Sequence, residues 1–144
     1  MKKVAIIFWS GTGNTELMAQ QVAKGVSDAG GTAILKPVGE ASSAMVKDAD
    51  AVAFGSPAMG AEVIEEEEME PFITGLSSAE LGGKPLGLFG SYDWGDGQWM
   101  RDWVSRMSAS ALGAKIDGQG LIVNLTPDEA ALTQCRDLGK RLAS

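Results

Sequence analysis

A chain of 144 residues with 44% hydrophobic residues and 19 glycines is sized for one domain around one sizeable core. Its formal charge of −7 disfavours nucleic-acid binding, because a phosphate backbone repels such a surface. The chain has no histidine, which removes imidazole bases and imidazole metal sites, and its single cysteine, Cys135, supports neither a disulfide nor a thiolate cluster.

The first apolar run, Val4-Ala5-Ile6-Ile7-Phe8, predicts a strand. Met1-Lys2-Lys3-Val4 lacks a signal-cleavage pattern, and no apolar run approaches the roughly 20 residues of a membrane span, so a cytoplasmic chain is expected. Ser10-Gly11-Thr12-Gly13-Asn14-Thr15 follows. It reads as a hydroxyl-rich turn leading into a helix over Thr15–Ala29, with Met18, Val22 and Val26 on one face and Gly30-Gly31 as the stop. A helix start offers free N–H groups and the positive end of its dipole, which suits a phosphate. The turn holds no Lys or Arg, so an anion here is held by neutral donors. A P-loop is excluded by the missing Lys. A dinucleotide fingerprint is excluded because Glu16 stands where the third Gly belongs.

Thr32–Leu35 is a short second strand, Ser42–Lys47 a weak helix and Ala51–Gly55 a fully apolar third strand. Beyond an acidic run, a helix is expected over Met69–Leu76. Pro85–Gly90 is the fourth strand, Gln98–Leu112 a helix with Met100, Trp103, Val104 and Met107 inward, and Gly120–Leu125 the fifth strand. Thr126-Pro127-Asp128-Glu129 predicts the last helix start, with Thr126 as N-cap, running to about Ala143. On that helix Ala131, Cys135, Leu138 and Leu142 share a face, which makes Cys135 a core filler. Five apolar runs alternating with helices predict a single α/β domain over residues 1–144. It is a doubly wound, five-stranded parallel sheet of order 2-1-3-4-5 with helices on both faces.

In such a sheet, ligands bind beyond the carboxyl ends of the strands. Three unusual loops stand there: Ser10–Thr15, Pro57-Ala58-Met59-Gly60-Ala61-Glu62, and Ser91-Tyr92-Asp93-Trp94-Gly95-Asp96-Gly97. Met59-Gly60 suits a type II turn. Trp94 belongs to no apolar periodicity, and with Met59 it suits a flat aromatic ligand. A phosphate cradle beside a flat apolar slot fits FMN.

The motifs Trp9-Ser10-Gly11-Thr12-Gly13-Asn14-Thr15-Glu16, Pro57-Ala58-Met59-Gly60, and Gly90-Ser91-Tyr92 with Trp94-Gly95-Asp96-Gly97 and Trp99-Met100 occur in this order over nearly the whole chain. In them the chain resembles short-chain flavodoxins, most of all those of clostridia and related anaerobes. The resemblance implies one non-covalent FMN that carries single electrons between redox proteins, in the semiquinone–hydroquinone couple. The cofactor-binding residues it implies are Trp9, Ser10, Gly11, Thr12, Gly13, Asn14 and Thr15; Pro57, Ala58, Met59, Gly60 and Glu62; and Ser91, Tyr92, Asp93, Trp94 and Gly95. By the same resemblance Ser10–Thr15 would bind phosphate, Met59 and Trp94 would cover the two ring faces, Glu62 would accept from the ring N3–H, and the Met59–Gly60 peptide would turn a carbonyl to N5–H on reduction. The family usually has Gly where this chain has Asp93, and some members carry a hydroxyl where it has Pro57.

The acidic residues Glu62, Glu65, Glu66, Glu67, Asp93 and Asp96 form an expected rim that lowers the potential and docks basic patches of donor and acceptor proteins. A monomer is expected. The competing reading is a small FMN-dependent NAD(P)H quinone or nitro reductase, against which the chain shows no nicotinamide site and no substrate-shaping insertion.

Overall fold

The computed structural model describes residues 2–109 and 111–144. Its elements run β1 (Lys3–Phe8), α1 (Asn14–Asp28), β2 (Thr32–Pro37), a 3₁₀ turn (Val38–Glu40), α2 (Ser43–Asp48), β3 (Ala51–Gly55), α3 (Met69–Thr74) and α4 (Ser78–Leu81). They continue with β4 (Pro85–Tyr92), α5 (Gln98–Ser108), β5 (Lys115–Ile116), β6 (Leu121–Asn124) and α6 (Glu129–Leu142). The sheet is parallel in the order β2-β1-β3-β4-β5.

The fifth sheet position is shared by two short strands. β4 pairs with β5 at Pro85 and Leu86, and with β6 from Phe89 to Tyr92. Asp117-Gly118-Gln119-Gly120 separates the two pieces, with the Asp117 N–H still donating to Leu86 O at 2.8 Å. Those residues are too polar and too glycine-rich to continue an apolar ladder.

Strand alternation splits the core into two layers, which is why these runs read as continuously apolar. Ala5, Ile7, Val52, Phe54, Leu86 and Leu88 pack with Trp99, Trp103 and Met107 of α5 and with Met69 and Ile73 of α3. Val4, Ile6, Phe8, Ala51 and Ala53 pack with Met18, Val22 and Val26 of α1 and with Cys135, Leu138 and Leu142 of α6. Two glycines let α1 and α6 touch. A Cβ at Gly25 would lie 1.9 Å from Arg136 O, and one at Gly139 would lie 2.0 Å from Val22 O.

Three helix ends depart from expectation, and one short helix was not expected at all. α6 is capped by Asp128, whose carboxylate accepts from Ala131 N at 2.9 Å, so Pro127 precedes the cap and Thr126 does not serve as one. α5 stops at Ser108 because Ala109 turns to extended backbone, short of the expected Leu112; Ser110, within that span, lies outside the described residues, as does Met1. α3 ends at Thr74 before Gly75. The single turn α4 was not expected. It is nucleated by a capping box in which Ser77 and Glu80 exchange hydrogen bonds.

Candidate functional site

β1 has β2 on one side and β3 on the other, so the chain leaves β1 and β3 in diverging directions and opens a crevice above their carboxyl ends. The first loop closes on itself there. Ser10 Oγ accepts from Gly13 N at 3.1 Å and Glu16 N at 3.2 Å. Gly13 is the N-cap of α1 with φ 95° and contributes no side chain. Thr15 is buried, with its hydroxyl 3.0 Å from the Ser91 hydroxyl, which ties the first loop to the end of β4. Gly11, Thr12 and Asn14 line the crevice beside Trp9. The first-turn N–H groups of α1 have no intrahelical acceptor and sit at its positive pole, with Glu16 N turned to Ser10 Oγ, an arrangement of amides and hydroxyls that could hold an anion.

The second loop lies beside the third because Ser56 N donates to Phe89 O and Ala58 N to Ser91 O, both at 3.1 Å. Met59 and Val63 exchange two backbone bonds, Met59 N to Val63 O at 2.8 Å and Val63 N to Met59 O at 3.0 Å. Gly60 at the tip has φ 49°, while a Cβ there would meet nothing within 4 Å. The requirement for glycine is therefore one of backbone conformation, with no crowding involved.

The acidic residues after this turn do three different things. Glu62, with φ 59°, directs Oε1 at the N–H groups of Asp96, Gly97 and Gln98, at 3.3, 3.1 and 2.9 Å. Its carboxylate sits on the N-terminus of α5 and clamps the second loop to the third. Glu65 is buried, contrary to its expected place on the docking rim. Its carboxylate accepts from Glu67 N at 2.7 Å and from Glu68 N and Met69 N at 2.8 Å, fastening the start of α3. A carboxylate satisfied by three inward N–H groups offers no charge to a partner. Glu66 and Glu67 remain exposed, and the exposed Glu68 accepts from the Trp9 indole at 3.3 Å.

In the third loop, the Tyr92 ring stacks at a tilt on Trp99, 5.4 Å between centroids, and the Trp99 indole donates to Ser56 O at 3.2 Å. These anchors leave Trp94 at 55% exposure on the wall of the crevice, so it does not fold back as an anchor. Asp93 and Asp96 are exposed, and Asp96 pairs with Arg101 at 3.0 Å. At the side of the structure facing Glu70, Arg106 donates from Nη1 and Nη2 to the two carboxylate oxygens at 2.7 and 2.6 Å. Those hydrogen bonds hold the Glu70 carboxyl below its ordinary value of 4.5. Burial pushes the Cys135 thiol up to about 12.

The result is one cleft of about 340 Å³. Trp9, Gly11, Thr12 and Asn14 come from the first loop, Pro57, Ala58, Met59 and Gly60 from the second, and Ser91, Tyr92, Asp93 and Trp94 from the third. Of the expected residues, Ser10, Gly13 and Thr15 shape the first loop from behind, and Glu62 and Gly95 meet each other outside the cleft wall. A Cβ at Gly95 would lie 2.6 Å from Glu62 Oε1. Leu125, at the end of β6, joins the wall and was missed. Its only sequence signal is its position at the carboxyl end of the strand next to β4. The volume is in the range of small-molecule sites, and the anion cradle at one end with apolar walls at the other suits a phosphate-bearing flat ring. No lining residue is basic.

A site of this shape defines a protein that holds a phosphorylated aromatic cofactor at the switch point of a doubly wound sheet. A family model described as flavodoxin matches residues 6–139. The flavodoxin of Clostridium beijerinckii is 43% identical over 139 residues, covering 96% of this chain and 98% of its own. That of Megasphaera elsdenii is 41% identical over 140 residues, covering 97% and 98%. The solution structure of the two-electron reduced M. elsdenii flavodoxin superposes with a TM-score of 0.87, over 97% of this chain and 98% of that one. The chain belongs to the flavodoxin family, FMN-binding carriers of electrons and not substrate-turnover enzymes. Among the described residues no helix is long and apolar enough to cross a membrane.

Proposed function

We infer that residues 1–144 form one monomeric, cytoplasmic domain that passes single electrons at low potential, with its FMN held by the three converging loops. The observation that carries this reading is the cleft, whose walls come from the ends of β1, β3 and β4 at once. FMN, when bound, supplies one-electron redox chemistry.

The amides and hydroxyls of Ser10–Thr15 hold the phosphate. Backbone N–H groups at a helix start bind an anion without a salt bridge. Met59 and Trp94 flank the ring and exclude water from its faces. From its place just outside the cleft wall, with Oε1 holding the third loop, Glu62 would accept from the ring N3–H. The Met59 carbonyl accepts from Val63 N. Turning it to the cleft gives up that bond, about 1 kcal/mol, which a donor in the cleft restores. The switch is thus nearly balanced and responds to whether such a donor is present.

The acidic surroundings oppose adding negative charge. One carboxylate about 10 Å away contributes roughly 0.4 to 1.7 kcal/mol for an effective dielectric of about 80 to 20. Exposed Asp93 belongs at the weak end of that range, and Asp96 is weaker still beside Arg101. The docking rim for basic patches of partner proteins comprises Glu66, Glu67, Asp93 and Asp96, with Glu62 at its inner margin.

The test is an anaerobic redox titration of the purified protein together with stopped-flow reduction at several ionic strengths. Two well-separated one-electron steps, and a rate that falls as salt rises, support the reading. A protein that takes up no FMN refutes it. Flavin reduced in one two-electron step, with rapid NADH consumption and small acceptors turned over, assigns a reductase instead. A rate flat in ionic strength removes the rim.

A further inference from the structure

Among the described residues, two that are not glycine have positive φ, Glu62 at 59° and Leu125 at 60°. Leu125 stands on the wall of the cleft and Glu62 just outside it. The conformation of Glu62 is matched by work for its side chain, which reaches three N–H groups at the start of α5. Leu125 has no polar side chain to place. The left-handed region is strained for leucine and easier for asparagine, yet the turn falls on Leu125 although Asn124 immediately precedes it.

The backbone shows how this is enforced. β6 ends in register with β4, Asn124 opposite Tyr92. The Tyr92 carbonyl then accepts from Leu125 N at 2.7 Å and from Asn124 Nδ2 at 3.2 Å. Two donors on one carbonyl fix the end of β6 to the start of the third loop. Leu125 is left on the cleft wall with Tyr92, Asp93 and Trp94, and 51% of its surface is open. Strain retained at a site, with an exposed apolar group as its product, points to a ligand that covers that group.

We propose that Leu125 is a fourth wall of the FMN cleft, a positioning residue whose side chain shields the bound flavin from water and strengthens its binding. The inference rests on the flavin reading above. It makes the end of β6 part of the site, in addition to the loops after β1, β3 and β4, and it accounts for a leucine where glycine or asparagine would fold at lower cost.

The experiment measures FMN affinity and denaturant stability, without added FMN, for the full chain, Leu125→Asn and Leu125→Gly. Both substitutions relieve the backbone and remove apolar cover. Covering half a leucine side chain corresponds to FMN binding weakened about three- to tenfold in either variant. Stability without FMN is expected to stay level or rise. Weaker flavin binding in a variant that is no less stable is a result that loss of packing alone does not produce. Affinity within twofold of the parent overturns the inference, as does affinity falling only in step with stability. A parent chain that binds no FMN overturns the flavin reading itself, and this inference with it.

Discussion

Glu65→Ala separates a fastening carboxylate from a docking one. The substitution removes the acceptor of three N–H bonds at 2.7, 2.8 and 2.8 Å and strands the amides of Glu67, Glu68 and Met69, of which Met69 is fully buried. A hydrogen bond to a charged group contributes about 1.5–3 kcal/mol. The three share one carboxylate whose dehydration offsets part of the gain, so about 3 kcal/mol is the expected loss for the residue. Unfolding entropy near 2.1 cal/mol/K per residue amounts to roughly 0.3 kcal/mol/K for this chain, and the melting temperature is expected to fall by about 10 °C. Glu66→Ala, at an exposed neighbour, is expected to move it by less than about 2 °C. Circular dichroism melts of the two variants without added FMN give the comparison. The docking test runs the other way: Glu66→Gln with Glu67→Gln lowers the salt dependence of reduction, and Glu65→Gln leaves its slope alone. A Glu65→Ala protein melting within 2 °C of the parent refutes the assignment of this carboxylate to the start of α3.

Three further outcomes are expected. Gly60→Ala strains the turn at φ 49° by about 1 kcal/mol, which for one electron is about 40 mV, and because the strain falls unequally on the two turn conformers a potentiometric titration should show the gap between the two one-electron potentials changed by about that amount; an unchanged gap refutes the need for glycine there. Because Arg106 holds the Glu70 carboxyl below 4.5, the pair stabilises the fold above that pH, and the contribution is lost as pH falls through the lowered value. For a half-exposed pair this is about 0.5 kcal/mol, so denaturant midpoints of Glu70→Gln should converge with the parent's on acidification; parallel curves count against it. With its thiol at about 12, Cys135 is ionised in about one molecule in ten thousand at pH 8, so a disulfide reagent should label the native chain slowly and one thiol per chain after denaturation. Prompt labelling of the native chain contradicts its burial.

The strands were legible because a parallel strand covered on both faces is apolar throughout, as Val4–Phe8 and Ala51–Gly55 show. The three loops were legible because glycines and aromatics outside any periodicity mark backbone with special work. Where the sequence was silent, the missing information is tertiary. Of consecutive glutamates Glu65 to Glu68, the one that turns inward is decided by where the start of α3 falls relative to Ser56, whose hydroxyl accepts from Glu65 N at 2.9 Å. Asp128 displaced Thr126 as cap because the helix starts at Glu129, where the Asp128 carboxylate accepts from Ala131 N. Leu125 looked like the last residue of a strand, and it is its φ of 60° that takes the backbone out of the β region. The Ser77–Glu80 capping box was written in the residues and nucleates a helix too short for any periodicity to announce.

The divided fifth position has a consequence for how the protein tolerates being abundant. A long, flat outer strand is a template on which another copy can add. Here one border of the sheet is cut into pieces of two and four residues, separated by a glycine-containing loop and ended by a left-handed residue. The opposite border, β2, carries Lys36 and ends in Pro37, which has no N–H to offer an incoming strand. The divided border presents no uninterrupted ladder, so the same interruption that seats Leu125 at the cleft also guards that side of the sheet against edge-to-edge pairing.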